Sequence, residues 1–476
     1  MSVIKQFIEL NEKNRITAAV VGDAVIDEYY LVNADRVSPE FPIPVMLSTA
    51  LAPTYSLPGG AANVAYQFKH FNATCNLFSF LDKLSQEVFE DAGINARHGT
   101  GFNSGTWARN RVKHVPIKRR LYQGDFPLCR WDIEYKSYGN TTEHLNKIHN
   151  CLYEELRTIQ PEIVILSDYD KGFFTQYSRD LWLKSSAISI VDVKKGPASN
   201  WKGCTIFKCN IKEAEDLCGF KSTPNYQCDY LLNETGAEVV IITDGGNGVY
   251  GVLGTAWGNK YFEYKPKKSV VANSVIGAGD CFAAFLALAY AQKMPIEECV
   301  EVAFESGAIY VKNKHNKPIT PYDLLSHDDH VTAKFVKPES LAKRDFKLVF
   351  TNGCFDILHD AHIELLKFAR SKGDKLVVAI NTDASVRALK GEGRPINDLT
   401  SRMQMLSNFE FVDYIVPFFD DVLPLIKVIN PDILAKGGDY KKEDVVGYKV
   451  VKDVQIFPYV AGQSTTGLIK KIKGEQ

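Results

Sequence analysis

Apolar and polar positions follow one another in two separate series along the chain. TAAVVGD (17–23), EIVILSD (162–168), AISIVDV (187–193) and EVVIITDG (238–245) are short, β-branched runs that end in Asp or Gly. Apolar on nearly every position, they predict parallel strands buried on both faces. KLVVAIN (375–381), DYIVPF (413–418) and DILAKGG (432–438), with Leu348-Val349-Phe350 ahead of them, predict a second, smaller α/β series. Two segments interrupt the first series. Val32–Val45 and Pro116–Trp131 carry more charge and proline and predict an exposed β lid. Around 326–345 the chain is polar and has no long apolar run, which suggests a linker. The expected division is therefore 1–330, a linker at 331–345, and 346–476. At the start, Ile4, Phe7 and Ile8 predict one apolar face of a short helix.

Composition narrows the class. With 476 residues, 45% of them apolar, the chain has enough material for more than one core. A net charge of −1 gives no basic balance that would favour nucleic acid or a membrane surface. No segment has the length or apolarity of a membrane span or a secretory leader. Ten scattered cysteines include no Cys-x-x-Cys pair, which fits reduced thiols in a cytoplasmic protein.

The strongest chemical signal is FKLVFTNGCFDILHDAH (346–362). A buried strand ends in the polar turn Thr351-Asn352-Gly353. His359 and His362 then stand at the entrance of a helix marked by Ile363, Leu365, Leu366 and Phe368. A helix N-terminus offers free N–H groups and the positive end of its dipole, so this arrangement suits a phosphate. Histidines three apart share one side of the first turn and can reach the same anion. Zinc is the rival, but it needs a third or fourth ligand, and none is apparent nearby. A second glycine-led polar turn, Gly462-Gln463-Ser464-Thr465-Thr466, precedes Leu468-Ile469-Lys470-Lys471 and could form another phosphate cradle. Alone it would be an ordinary helix cap. In the first series, Gly277-Ala278-Gly279-Asp280 opens an apolar helix where backbone N–H groups can converge on phosphate. Asp280 there can take a proton from a hydroxyl.

These segments carry two resemblances. TNGCFDILHDAH, KGEGRPIN (390–397), AKGGDYKKED (435–444) and GQSTT resemble the cytidylyltransferase-like nucleotidyltransferases over essentially all of 346–476. That resemblance implies a Rossmann-like domain with His359 and His362 catalytic. It also implies a nucleotide bound by Thr351, Asn352, Gly353, Phe355, Ser464, Thr465 and Thr466. Arg394 and Lys436 are phosphate candidates, with solvated surface charge as the alternative. Ala361 departs from the glycine usual in the first motif.

Residues 15–325 resemble the ribokinase-like carbohydrate kinases through Val21-Gly22-Asp23, PGGAANVA (58–65), KCNIKEAE (208–215) and GAGD. This implies Asp280 as general base and Gly277, Ala278 and Gly279 as an anion hole. Asp23, Gly59, Gly60 and Asn63 would hold the sugar. Asn210, Glu213, Thr243, Gly245 and Gly248 would line ATP, with Glu213 meeting Mg²⁺ indirectly. The usual Asp-Thr-Thr before GAGD is Ser274-Val275-Ile276 here.

A ribokinase-like domain with a β lid followed by this nucleotidyltransferase resembles the bifunctional ADP-heptose synthases of bacteria. The resemblance implies two reactions on ATP: phosphorylation of D-glycero-D-manno-heptose 7-phosphate at O1, and adenylyl transfer to heptose 1-phosphate. Sugar phosphates and ATP would be the partners, in a homodimer joined through the kinase half. Two rival readings keep their place. In one, the same chemistry acts on another sugar or nucleotide; in the other, a protein with a decayed kinase half only binds sugar phosphate.

Overall fold

The computed structural model divides the chain into two compact units, Asn14–Ile319 and Met1–Lys13 together with Thr320–Gln476. Residues 2–458 are described, apart from 49, 51, 98–114, 125, 135–141, 186, 267–271, 273, 313–314, 328–333, 392, 420 and 439–440. The ten cysteines are all free thiols.

The Asn14–Ile319 unit is built on a nine-stranded sheet. Its order is Gly258–Tyr264, Val249–Thr255, Val239–Thr243, Ile206–Asn210, Ile188–Val193, Ile163–Asp168, Ile16–Gly22, Ala73–Phe78, Asn95–Arg97. The first two strands form an antiparallel hairpin at one edge, and the other seven run parallel. Ala19, Val21, Val164, Leu166, Val191 and Phe207 share one core cluster. Their neighbours Val20, Ile165, Ile190 and Ile206 are equally buried, so both faces of the sheet are covered. That double burial explains the unbroken apolar runs.

The lid is larger than the sequence suggests. Ala24–Leu31 leaves the first strand directly and pairs with Tyr55–Gly60 and Ile117–Gln123; Phe126–Ile133 completes the sheet. Asn33–Val37 and Pro44–Leu47 form a separate two-stranded ribbon. Ala24–Leu31 buries Asp27 and Glu28, which pair with Arg120 (2.6 Å) and Arg119 (2.7 Å) from the neighbouring strand.

The second unit holds a five-stranded parallel sheet in the order Tyr414–Phe418, Lys375–Asn381, Leu348–Gly353, Ile433–Gly437, Asp453–Phe457. The order reverses between Leu348–Gly353 and Ile433–Gly437. At such a switch point the connections leave to opposite sides, and a crevice opens at the strands' carboxyl ends.

The division differs from the expected one at two places. The polar stretch before residue 346 belongs to the second unit: Phe335 bridges to Ile415, and Leu341 is buried with Leu348, Phe350 and Leu434. Arg344 donates to the carbonyls of Leu341, Ile429 and Asn430 and to the Asp432 carboxylate. The helix Val3–Lys13 also joins this unit, packing on Asp383–Lys390 and Pro321–His327. Its apolar face is the predicted one, with Ile4, Phe7 and Ile8 buried.

Candidate active sites

Parallel strands bring their carboxyl ends to one edge, and the first site lies there. Asp23 follows Ile16–Gly22, Tyr169 follows Ile163–Asp168, and Asn210 and Thr243 close their own strands. With the helix Ala278–Ala291, Tyr169, Asn210 and Thr243 surround a cavity of about 430 Å³ that Lys194, Lys208, Gly277 and Asp280 also line; Asp23 is buried beside it.

Asp280 sits in the first turn of that helix and is buried. Asn63 Nδ2 donates to its Oδ2 at 2.9 Å, and the Tyr169 hydroxyl donates to its Oδ1. Burial raises the Asp280 carboxyl above the usual range, while Lys194, Tyr169 and Asn63 hold the rise back. Gly277 caps the helix at φ +76°, a left-handed conformation that favours glycine. A Cβ there would lie 2.6 Å from both Asn63 Nδ2 and the Tyr310 hydroxyl. Gly60 has φ +58°, and a Cβ on Gly59 would meet Asp27 Oδ2 at 2.4 Å. These glycines let the chain pass close to buried polar groups.

Several residues sit differently from their expected roles. Both Asp23 oxygens accept backbone N–H groups: Phe173 on Oδ1 at 3.0 Å, Tyr169 and Lys171 on Oδ2 at 2.9 and 3.1 Å. Burial and the neighbouring Asp168 still push its pKa up to about 7. Asp23 therefore holds the loop that carries Tyr169. Asn63 spends its amide on Asp280, Tyr310 and Gln67. Asn210 and Glu213 form a reciprocal capping box at the start of Ile211–Cys218, and Glu213 also pairs with Lys194 at 3.1 Å. Thr243 and Gly245 line the cavity. Gly248 is not among its lining residues, and a Cβ there would strike the Tyr264 carbonyl.

Tyr169, Asp192, Lys194 and Lys208 join the site without having been expected from the sequence. Buried Asp192 pairs with Lys194 (3.2 Å) and Lys208 (3.1 Å). Desolvation alone would lower Lys194, but Asp192, Glu213 and Asp280 together raise it, so it stays charged beside the cavity. Lys208 inside a buried β run and Lys194 just past the end of another were the available signal, because an unneutralised charge is costly there.

The second site lies at the carboxyl end of Leu348–Gly353. His359 is the N-cap of the helix Asp360–Arg370. His362 follows one turn later, with its ring 5.4 Å from that of Phe355. The Nδ1 atoms of His359 and His362 and the hydroxyl of Thr351 are buried without a hydrogen-bond partner among the described residues. Buried polar groups are normally paired, so these unpaired atoms are open to a ligand. Burial, then His359 and Lys390, push His362 down to about 4. Burial likewise lowers His359, with Asp360 opposing. Lys436 donates to Asn352 Oδ1 at 3.0 Å, and burial lowers its pKa.

Residues 180–320 match the pfkB family of carbohydrate kinases, and residues 350–459 match the cytidylyltransferase-like family. The Bifunctional protein HldE of Campylobacter fetus is 32% identical over 477 residues, covering 96% of this chain and all of that one. The HldE of Hydrogenovibrio crunogenus is 30% identical, covering 98% of each. The chain belongs to the bifunctional HldE family. A phosphofructokinase-2 mutant of Escherichia coli superimposes with a TM-score of 0.51 at 17% identity, covering 66% of this chain and 97% of that one; at that identity the match speaks for the fold. As an HldE-family protein the chain is an ADP-heptose synthase that joins a sugar kinase to a nucleotidyltransferase.

In this HldE-family chain the remaining transferase candidates divide. Phe355 is buried in the core at φ +48°, so it shapes the turn under His362. Arg394 donates through Nε to Asp356 Oδ2 at 2.6 Å, which ties it to the protein. Asn352 accepts from Lys436, and Gly353 packs its backbone on the Phe355 ring. Ser464, Thr465 and Thr466 lie outside the described residues. Arg402 was missed by the sequence reading. Fully buried, it donates to the carbonyls of Cys354, Asn381 and Asn397 and to Asp383. It thereby ties the first motif to two neighbouring loops. No helix among the described residues is long and apolar enough to cross a membrane.

Proposed function

We propose that the Asn14–Ile319 unit phosphorylates D-glycero-D-manno-heptose 7-phosphate at O1, and that the second unit adenylylates heptose 1-phosphate. The observation that carries the first half is a raised, buried carboxylate at the entrance of a helix, beside two lysines and a cavity. In the first reaction Asp280 takes the O1 proton as O1 attacks the γ-phosphorus of ATP, and ADP leaves. Lys194, Lys208 and the Gly277–Gly279 backbone neutralise the phosphoryl group in flight. Such transfers depend on positioning and charge, so no covalent nucleophile is required. In the second, a phosphate oxygen of heptose 1-phosphate attacks the α-phosphorus, and pyrophosphate leaves along His359 and His362.

A magnesium ion would be carried mainly by ATP. Glu213 and Asp192 already pair with lysines, so Glu213 would reach the ion through water. When bound, the ion neutralises phosphate charge. The lid ribbon and its flanks expose Val37, Phe41, Ile43 and Leu47, which supports self-association through this part of the kinase unit. Light scattering on the full chain tests that point.

The central test is incubation with ATP and a panel of sugar phosphates, with product masses recorded. Asp280→Asn should cut sugar phosphorylation by about a hundredfold to ten-thousandfold and spare nucleotidyl transfer. His362→Ala should do the reverse, by about two orders of magnitude. Heptose phosphates left unchanged while another sugar phosphate is converted would replace the substrate assignment.

A further inference from the structure

Tyr169 occupies the one carboxylate that the first reaction needs. Its hydroxyl donates to Asp280 Oδ1, while Asn63 holds Oδ2. The ring lines the cavity and has two cations close to it: Lys118 Nζ is 5.3 Å from its centroid and Lys194 Nζ 5.2 Å. Its backbone is pinned, because Asp23 accepts the N–H groups of Tyr169, Lys171 and Phe173. Burial, and then the Asp280 charge, raise the phenol well above its usual range, so it remains a donor and cannot itself serve as base.

We infer that Tyr169 is a specificity-determining residue that makes this site choose a sugar hydroxyl over water. The inference rests on the reading of Asp280 as general base. A kinase that binds ATP beside a raised carboxylate risks hydrolysis. Asp280 would take a proton from water, the water oxygen would bond to the γ-phosphorus, and the bond to ADP would break. With Tyr169 on Oδ1, the acceptor must displace a hydrogen bond that is already made. A lone water offers nothing in return. An anionic sugar phosphate brings a competing anion for Lys118, ATP brings one for Lys194, and the sugar hydroxyl replaces the phenol on Asp280. Both substrates together therefore loosen the two contacts that hold the ring, and the base becomes available when its proper acceptor is present.

The test uses the full chain with ATP and Mg²⁺ and no sugar, and measures release of inorganic phosphate. Tyr169→Phe should raise the rate about tenfold, a part of the roughly 10²–10⁴-fold that a general base supplies. The acid limb of its pH profile should move upward, because Asp280 loses a donor that stabilises its charged form. A merely structural loss at Tyr169 would lower hydrolysis. Equal or slower phosphate release in Tyr169→Phe overturns the inference, as does a gain that persists in Tyr169→Phe/Asp280→Asn. Normal sugar phosphorylation by Asp280→Asn alone would instead remove the reading of Asp280 as base, which keeps the two failures apart.

Discussion

His359 and His362 stack with their ring centroids 3.9 Å apart and their planes at 29°. Two imidazolium ions at that distance repel, and burial disfavours each charge, so both rings are neutral near pH 7. In the folded protein His362 titrates at about 4, against 6.5 in the unfolded chain. As pH falls through that interval the unfolded state binds the proton first, so stability is full above about 6.5 and declines towards 4. Calorimetry across this interval should show the second unit losing stability, and His362→Gln should flatten that dependence. Identical pH profiles for the two proteins would contradict the assignment.

Gly277→Ala should silence the kinase by a route other than Asp280. The added Cβ would press on Asn63 and Tyr310, and neither can retreat without disturbing the Asn63–Asp280 bond. A misplacement of about 1 Å can cost roughly a hundredfold in rate. Gly219→Ala is the control. It carries the same left-handed strain at φ +77° with nothing within 4 Å, so it should lower stability slightly and leave turnover alone. Comparable kinase loss in both variants would assign the effect to backbone strain.

Fragment boundaries give a third expectation. A transferase fragment beginning at Phe346 loses the buried Leu341, worth about 1.5–3 kcal/mol. It also loses the carbonyl contacts of Arg344. One beginning at Thr320 keeps both but lacks the helix Val3–Lys13, whose Glu12 carbonyl accepts from Arg387. We expect thermal midpoints to rise from 346–476 to 320–476, and again when residues 1–13 are supplied in the full chain. Equal midpoints for the two fragments would remove Leu341 and Arg344 from the second unit's stability.

Arg402→Met should unfold or strongly weaken the second unit while the kinase keeps working. The substitution removes the buried partner of Asp383 and the Arg402 donor to three carbonyls. Breaking a buried pair from one side costs about 3–5 kcal/mol. The measurement is the melting transition of that unit together with ADP-sugar formation. A midpoint within a degree of wild type would show that the network is dispensable.

Some of this was legible in the residues alone. The paired series of apolar runs announced two α/β cores, because a strand buried on both faces must be apolar at every position. GAGD and the histidines of 346–362 announced phosphate chemistry, because a glycine turn or a histidine pair at a helix entrance acts within a few neighbouring residues. Partners remote in sequence were beyond that reach. The position of Asp23 at a strand end gave no hint of the three amides about 150 residues away that bind its oxygens. Nor did the sequence around Arg394 point to Asp356, which accepts from its Nε. Tyr169 gave no signal at all, since its link to Asp280 spans 111 positions. The helix Val3–Lys13 displayed its apolar face plainly, yet only the fold assigned that face to the far end of the chain. Local pattern determines what an element is and which chemistry its ends can offer. Which buried donor meets which acceptor is decided when the sheets close, because every polar group left without water must find a partner wherever the chain brings one.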